Sequence, residues 1–310
     1  MSAFDEIQPR FPVRNTEEQK AAFRDWAIRS ASEAGWAAKV EPLNGHNNVV
    51  IGDADGAKVI LTAHYDTPRR AVFPNLMIPR AKALFWIYQI AMLLPLLAGG
   101  FAAAAAVFKL VPLDYTKPVC RLLPLFAYLA VYFGLVRLFL LGAPNRHNAN
   151  DNTSGVSVVL GVMRALPEDR RKDVALILFD DEEKGKKGSR AFANVHAAVK
   201  KGTPVLNFDC VGVGDQFVVL SRRDFAKQPG YAAFKDSFAG LPNAVFFTDR
   251  DAQANSDQTN FTLGTVFLTC RRAKSGLLYT PRIHTDKDTE ASQDNIDRLT
   301  EAALGYIETL

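Results

Sequence analysis

From Ala83 to Phe108 the chain runs for 26 residues without a charged side chain. As an α-helix that run is about 39 Å long at 1.5 Å per residue, against a hydrocarbon core of about 30 Å. A second charge-free run, Leu122 to Val136, covers 15 residues and reaches Gly142 if Arg137 carries its guanidinium out to an interface. Between the runs, KLVPLDYTKPVCR contains Pro112 and Pro118. That polar connection makes the pair a helical hairpin with both flanks on one side. Apolar length alone also fits two buried helices of a soluble core, or an oligomer interface. Pro95 and the Gly99–Gly100 pair interrupt the first run, which membrane helices tolerate better than soluble ones. Residues 83–142 are therefore expected to form an inserted transmembrane hairpin in a lipid bilayer. Arg69, Arg70, Arg80, Lys82, Arg137 and Arg146 flank it, while Lys109, Lys117 and Arg121 occupy its turn. The positive-inside bias places both flanks in the cytoplasm.

The rest of the chain has the balance of a folded enzyme-sized domain. Lys and Arg number 37 against 33 Asp and Glu, a net charge of +4, so no basic field points to nucleic acid. Cys120, Cys210 and Cys270 form no C-x-x-C pair, which excludes a disulfide framework or a thiolate zinc knuckle and suits a reducing compartment. The N-terminal residues lack the short apolar run and small-residue cleavage site of a secretory signal. Oligomeric state is not legible.

Strand-like and helix-like runs alternate on both sides of the insert. Asn15 before Thr16, Glu17 and Glu18 reads as a helix cap, with the helix running to Ala34 and ended by Gly35. Strands are expected at Asn48–Ile51, Lys58–Ala63, Val174–Phe179, Val205–Phe208, Phe217–Leu220, Val245–Thr248 and Val266–Thr269. Helices are expected at Val156–Leu166 and Ser292–Ile307. This pattern predicts an α/β fold, a mostly parallel central sheet flanked by helices. Residues 1–82 and 143–310 would form one discontinuous domain. In such sheets ligands gather beyond the carboxyl ends of the strands.

Five islands place His, Asp or Glu just past strand-like runs: LTAHYDT, NANDNTSG, LFDDEEKG, LNFDCVG and RIHTDKDT. Any single one reads equally well as a turn or a helix cap. Together His64, Asp151, Glu183, Asp209 and His284 supply the mixed nitrogen and oxygen donors suited to zinc or a similar divalent ion. Asp66, two residues after His64, shares its strand face and can orient its imidazole. Asp288 is open between a hydrogen bond in the site and a helix-capping role.

In this order the islands resemble the co-catalytic zinc exopeptidases of metallopeptidase family 28. The resemblance covers both flanks of the hairpin, takes in aminopeptidases and glutamate carboxypeptidases, and implies a zinc-exopeptidase fold, two divalent ions, most often zinc, and a peptide substrate, for which an aminopeptidase cutting at the N-terminus is the first reading. It implies that His64 and Asp209 hold one ion, Glu183 and His284 the other, and that Asp151 bridges them. Glu182 would be the general base toward the attacking water, with Asp66 catalytic through His64. Two departures stand out. ANSDQTNF has Gln258 where many members carry His, and His64 and Asp151 are separated by the hairpin. An insert leaving the loop after the first ligand emerges at the rim of the site, as a membrane anchor or a lid. Competing readings are a single-zinc amidohydrolase or glutaminyl-cyclase-like transferase, and an inactive peptidase-fold receptor or scaffold.

Overall fold

The computed structural model describes residues 2–310. Helices α1 (Ala3–Arg10) and α2 (Glu17–Glu33) precede strands β1 (Ala38–Leu43), β2 (His46–Ile51) and β3 (Val59–His64). The hairpin helices are α3 (Lys82–Leu110) and α4 (Pro118–Phe139). After α5 (Gly155–Ala165) come β4 (Val174–Phe179), α6 (Lys187–Val195), α7 (Ala197–Gly202), β5 (Val205–Phe208) and β6 (Gln216–Ser221). The chain closes with α8 (Arg223–Ala226), α9 (Tyr231–Phe238), β7 (Val245–Thr248), β8 (Gly264–Arg272), β9 (Leu278–Tyr279) and α10 (Gln293–Glu308).

One sheet runs in the order β1-β2-β4-β3-β5-β8-β6-β7, with β9 paired to β8. Its four central strands β4, β3, β5 and β8 are parallel, as expected, and antiparallel pairs flank them. The sheet as a whole is therefore mixed. β4, which follows the hairpin in sequence, lies between β2 and β3, which precede it, so both flanks build one layer.

β3 and β4 read as continuous apolar runs because both faces of the sheet are covered, and every residue in them is buried. Alternation sorts their side chains. Val59, Leu61, Ala63, Val174, Leu176 and Leu178 pack on the face that carries α5, α9 and α10, while Ile60, Ala175, Ile177 and Phe179 meet Phe192 and Val199 on the other.

The cap of α2 falls one residue beyond the expected Asn15. The Thr16 side chain accepts the Gln19 N–H at 3.4 Å, and the Gln19 side-chain Oε1 accepts the Asn15 and Thr16 N–H groups, a reciprocal capping box. Asn15 instead donates its side-chain amide to the Thr67 carbonyl at 3.1 Å. Gly35 ends this segment at φ 80°.

α3 and α4 lie against each other and leave most of their surface open. Only Leu96 and Gly100 of α3, and Pro124 of α4, are buried, whereas Trp86, Ile87, Phe101 and Phe133 are each about 60% exposed. A place in a soluble core is thereby removed. Gly100 permits the close approach, since a Cβ there would stand 2.8 Å from the Tyr128 ring. Both helices are long and apolar enough to cross a membrane.

Backbone pairing fixes the root of the hairpin. Val72 donates to Phe139 at 2.8 Å, and Gly142 and Arg70 donate to Arg70 and Ala143 carbonyls at 2.9 Å. On its other side the same strap donates from Ala71 to the His284 carbonyl at 2.7 Å, and from Asn75 to Ile283 at 3.2 Å.

Candidate active site

Because β3, β4 and β5 run parallel, their carboxyl ends lie at one edge. His64 ends β3 opposite Phe179 of β4, the loop after β4 carries Asp180 to Glu183, and Asp209 follows β5. The kinked turn Ala149–Ser154 brings Asp151 to the same edge. Its Asp151–Asn152 peptide is cis.

Asn and Ser side chains satisfy the backbone of that turn and bind it to the loop after β5. Asn152 donates to the Phe208 carbonyl at 2.9 Å and accepts the Cys210 N–H at 3.2 Å. Asn150 accepts the Gly212 N–H at 2.7 Å and Ser154 the Val211 N–H at 3.1 Å. Gly155 must be glycine for this fit, as an added Cβ would lie 2.2 Å from the Phe208 carbonyl oxygen. The far side is held by Asp288, whose carboxylate accepts the N–H groups of Asn150 at 2.9 Å and Asp151 at 3.0 Å. This hydrogen-bonding use of Asp288 is the one realised; the capping residue of α10 is Ser292.

The Asp151 carboxylate divides its two oxygens between two groups. Oδ1 lies 3.4 Å from His64 Nε2, which is itself 3.8 Å from Asp209 Oδ1. Oδ2 lies 3.2 Å from His284 Nε2, which is 3.3 Å from Glu183 Oε2. Ligand atoms about 2.1 Å from a tetrahedral zinc ion stand roughly 3.4 Å from each other. The spacings fit two such ions. Three side-chain atoms of these residues, His64 Nε2, Glu183 Oε1 and Asp209 Oδ1, are buried without a hydrogen-bond partner among the described residues. Unpaired buried polar atoms are costly, and divalent cations would satisfy all three. Cys210 Sγ falls within 4.8 Å of facing atoms of Asp151 and Asp209, a neighbour that no thiol motif announced. Burial and these acids push its thiol well up.

Asp66 does more than the sequence suggested. Its Oδ1 is 3.4 Å from His64 Nδ1, and its two oxygens also accept the N–H groups of Glu182 at 3.0 Å and Glu183 at 3.2 Å. One carboxylate thus links the His64 strand end to the Glu182–Glu183 loop. His284 takes a left-handed backbone, φ 63°, uncommon for a side-chain-bearing residue. The strap from Ala71 holds it there.

The electrostatics are those of a crowded acid cluster. Burial pulls the His64 imidazole down, but bonds to Asp151, Asp209 and Asp66 outweigh it and hold it well above its ordinary value. Burial pushes Asp151 up, yet His284 and His64 bring it far below the usual carboxylate range. Glu182 and Glu183 are driven well up by burial and by neighbouring acids. Burial also lifts Asp257 and Asp288 to about 7. Asp257 accepts from Ser189 at 2.5 Å and presses on Glu182. Neither Asp257 nor the fully buried Arg14 was singled out by the sequence. Arg14 donates to the Tyr65 carbonyl at 2.5 Å and to Thr153 at 3.0 Å, and burial lowers it to about 10. An Arg within FPVRN carries no local mark of burial.

A second acidic group, His46, Asp180 and Asp181, has the spacing of a metal site but already holds a cation. Lys20 Nζ lies 2.7 Å from Asp180 and 3.0 Å from Asp181, and His46 lies 2.8 Å from Asp181.

An α/β sheet with a two-part acid and imidazole cluster at its carboxyl edge defines a metallohydrolase-like class. The chain belongs to peptidase family M28, whose profile matches residues 140–307. Among solved structures it is similar to the LapA aminopeptidase of Legionella pneumophila, with a TM-score of 0.59 and 12% identity, covering 98% of this chain and 69% of that one. It is also similar to the glutaminyl cyclase of Porphyromonas gingivalis, with a TM-score of 0.61 and 17% identity over 99% and 97% of the two chains. The glutaminyl cyclase of Fimbriiglobus ruber matches with a TM-score of 0.57 and 14% identity over 100% and 94%. These likenesses establish the fold, on both sides of the hairpin. Among curated proteins none matches the chain.

Proposed function

We propose that this protein is a two-metal exopeptidase that removes N-terminal residues from peptides. The observation that carries the reading is the divided Asp151 carboxylate, with His64 and Asp209 on one side and His284 and Glu183 on the other. On this reading His64 and Asp209 would hold one ion, His284 and Glu183 the other, and Asp151 would serve both. Two divalent cations, zinc by the donor set, supply a polarised peptide carbonyl and a water of lowered pKa when bound.

Glu182 is the proton carrier. It takes a proton from the attacking water as the oxygen adds to the carbonyl carbon, then gives it to the amine nitrogen as the C–N bond breaks. Asp66 is a positioning residue, because it fixes the His64 ring and the two backbone N–H groups that aim Glu182 and Glu183.

Residues 1–82 and 143–310 act as one discontinuous catalytic domain, supported by the interleaving of β4 between β2 and β3. Residues 83–142 anchor it in a bilayer, supported by the exposed apolar surface of α3 and α4. The flanking Arg and Lys residues favour a cytoplasmic catalytic domain.

The test is release of aminoacyl chromophores by purified protein, before and after chelation, with Glu182→Gln alongside. Zinc-dependent release that falls by about 10²-fold or more in Glu182→Gln is expected. Activity surviving both treatments contradicts the mechanism. Metal content separates the alternatives: one ion per chain would favour a single-zinc transferase, and none an inactive scaffold.

A further inference from the structure

Arg69 and Arg137 meet at the root of the hairpin. Arg69, on the strap after β3, donates its Nη1 to the Gly142 carbonyl at 3.2 Å, and Arg137, in the last turn of α4, donates its Nη1 to the adjacent Leu141 carbonyl. Two guanidiniums from separate segments are thus held at neighbouring carbonyls, and both residues are exposed. Neither meets a carboxylate among the described residues. The backbone keeps them together. Arg69 forms a bridge with Pro144, Arg70 donates to Ala143 and accepts from Gly142, both at 2.9 Å, and Phe73 stacks on Phe139 at 6.4 Å. Gly142 is required for that approach, since an added Cβ would lie 2.3 Å from the Arg70 carbonyl oxygen.

The surroundings are of one sign. From Thr67 to Asn150 the sole acidic residue is Asp114, and it lies in the turn at the opposite end of the hairpin, 3.6 Å from Lys117. Arg70, Arg80, Lys82 and Arg146 add further exposed cations where the chain enters and leaves the hairpin. Like charges brought together without a counter-ion repel each other, and an anion between them relieves that repulsion. Depth selects the anion. Arg137 ends the charge-free run Leu122 to Val136, so in a bilayer its guanidinium lies where α4 leaves the hydrocarbon, at the level of the headgroups. Val72 and Phe73, next to Arg70 and Ala71 on the strap, are exposed apolar side chains that suit the acyl side of the same boundary.

We infer that Arg69 and Arg137, supported by Arg70 and Arg146, form a binding site for the phosphate of an anionic phospholipid headgroup. The inference rests on the membrane-anchor reading. A guanidinium gives phosphate a planar, bidentate pair of N–H donors that an ammonium does not reproduce, and basic pockets at the ends of membrane helices bind anionic headgroups in this way. Ala71 donates to the His284 carbonyl, so the bound headgroup lies beside the strap that holds a candidate metal ligand.

The test is native mass spectrometry of the full-length protein, released from detergent micelles that contain equimolar phosphatidylglycerol and phosphatidylcholine. We expect retained phosphatidylglycerol to exceed phosphatidylcholine by about tenfold, the worth of one charge-assisted hydrogen bond. The double substitution Arg69→Lys with Arg137→Lys removes most of that excess, because it keeps the charge that sets topology and loses the planar donors. Arg298→Lys, on α10 and paired with Asp294, leaves the ratio unchanged.

A ratio unmoved by the double lysine substitution means diffuse attraction to positive charge and overturns the site. Equal retention of the two lipids by a protein that needs detergent also overturns it and leaves the anchor standing. A protein that stays monodisperse without detergent and retains neither lipid overturns the anchor and the site together. Displacement of phosphatidylglycerol by an equal concentration of inorganic phosphate identifies a soluble anion as the ligand and overturns the lipid assignment.

Discussion

The carboxylate of Asp288 accepts the backbone N–H of Asp151 at 3.0 Å, from 137 positions further along the chain. Its other oxygen accepts Asn150, so the last acidic island clamps the turn that presents the central carboxylate. Asp288→Asn turns one of these acceptors into a donor facing an N–H. Zinc affinity should fall by about 10- to 100-fold while the fold persists. Competition with a fluorescent chelator measures the first, and circular dichroism the second. Unchanged affinity would remove the clamp from the account.

Lys20 neutralises a buried pair of acids. Its side chain is 5% exposed, and those of Asp180 and Asp181 are 0% and 7% exposed. Lys20→Met leaves two buried carboxylates facing each other, a loss of about 3 kcal/mol. Thermal unfolding in detergent should show a fall of roughly 6 °C or more. A Tm within a degree of the parent would mean that His46 and Lys184, whose Nζ lies 2.8 Å from Asp181, suffice.

Without metal, the acid cluster holds protons. Asp257 and Asp288 titrate at about 7 in the fold against about 4 in an unfolded chain. Between those values the folded state binds more protons than the unfolded one, so stability falls as pH rises from about 4 to about 7. Asp181 runs the other way: burial alone would raise it, but Lys184, Lys20 and His46 bring it to about 2, and its contribution is lost as pH drops from about 4 through 2. Chelated protein should therefore be most stable near pH 4 to 5, and added zinc should move the optimum upward. A chelated protein most stable at pH 8 would contradict this.

The membrane reading predicts that full-length protein stays with membranes through an alkaline carbonate wash. Because Val72 is hydrogen-bonded to Phe139, residues 73–138 can be replaced by a short Gly-Ser turn at that pair. This variant should leave the membrane without detergent and still bind zinc. Full-length protein in the carbonate supernatant would rule the anchor out.

The legible part of this molecule was what repeats a local pattern. β3 and β4 announced themselves as apolar runs because both their faces are buried, and His64, Glu182, Glu183 and Asp209 stood out because they end or follow a strand, whereas Asp151 follows the hairpin helix α4. β1 was missed since it is half-exposed, with Glu41 and Pro42 in its length, and α1 because Pro9 sits within it. The antiparallel placement of β2 beside β4 depends on long-range pairing that no local spacing encodes. For the same reason Asp66 could be matched to its near neighbour His64 but not to Glu182 and Glu183, more than a hundred positions away. The hairpin was plain as an insert, yet the meeting of Arg69 and Arg137 at its root needed coordinates.

The central claim is that Asp151 joins two cations. Its direct measurement is anomalous X-ray scattering at the zinc edge from crystals of the zinc-loaded protein. The account predicts two peaks about 3.5 to 4 Å apart, one beside His64 and Asp209, the other beside His284 and Glu183, with Asp151 between them. A single peak, or peaks away from these side chains, would contradict it.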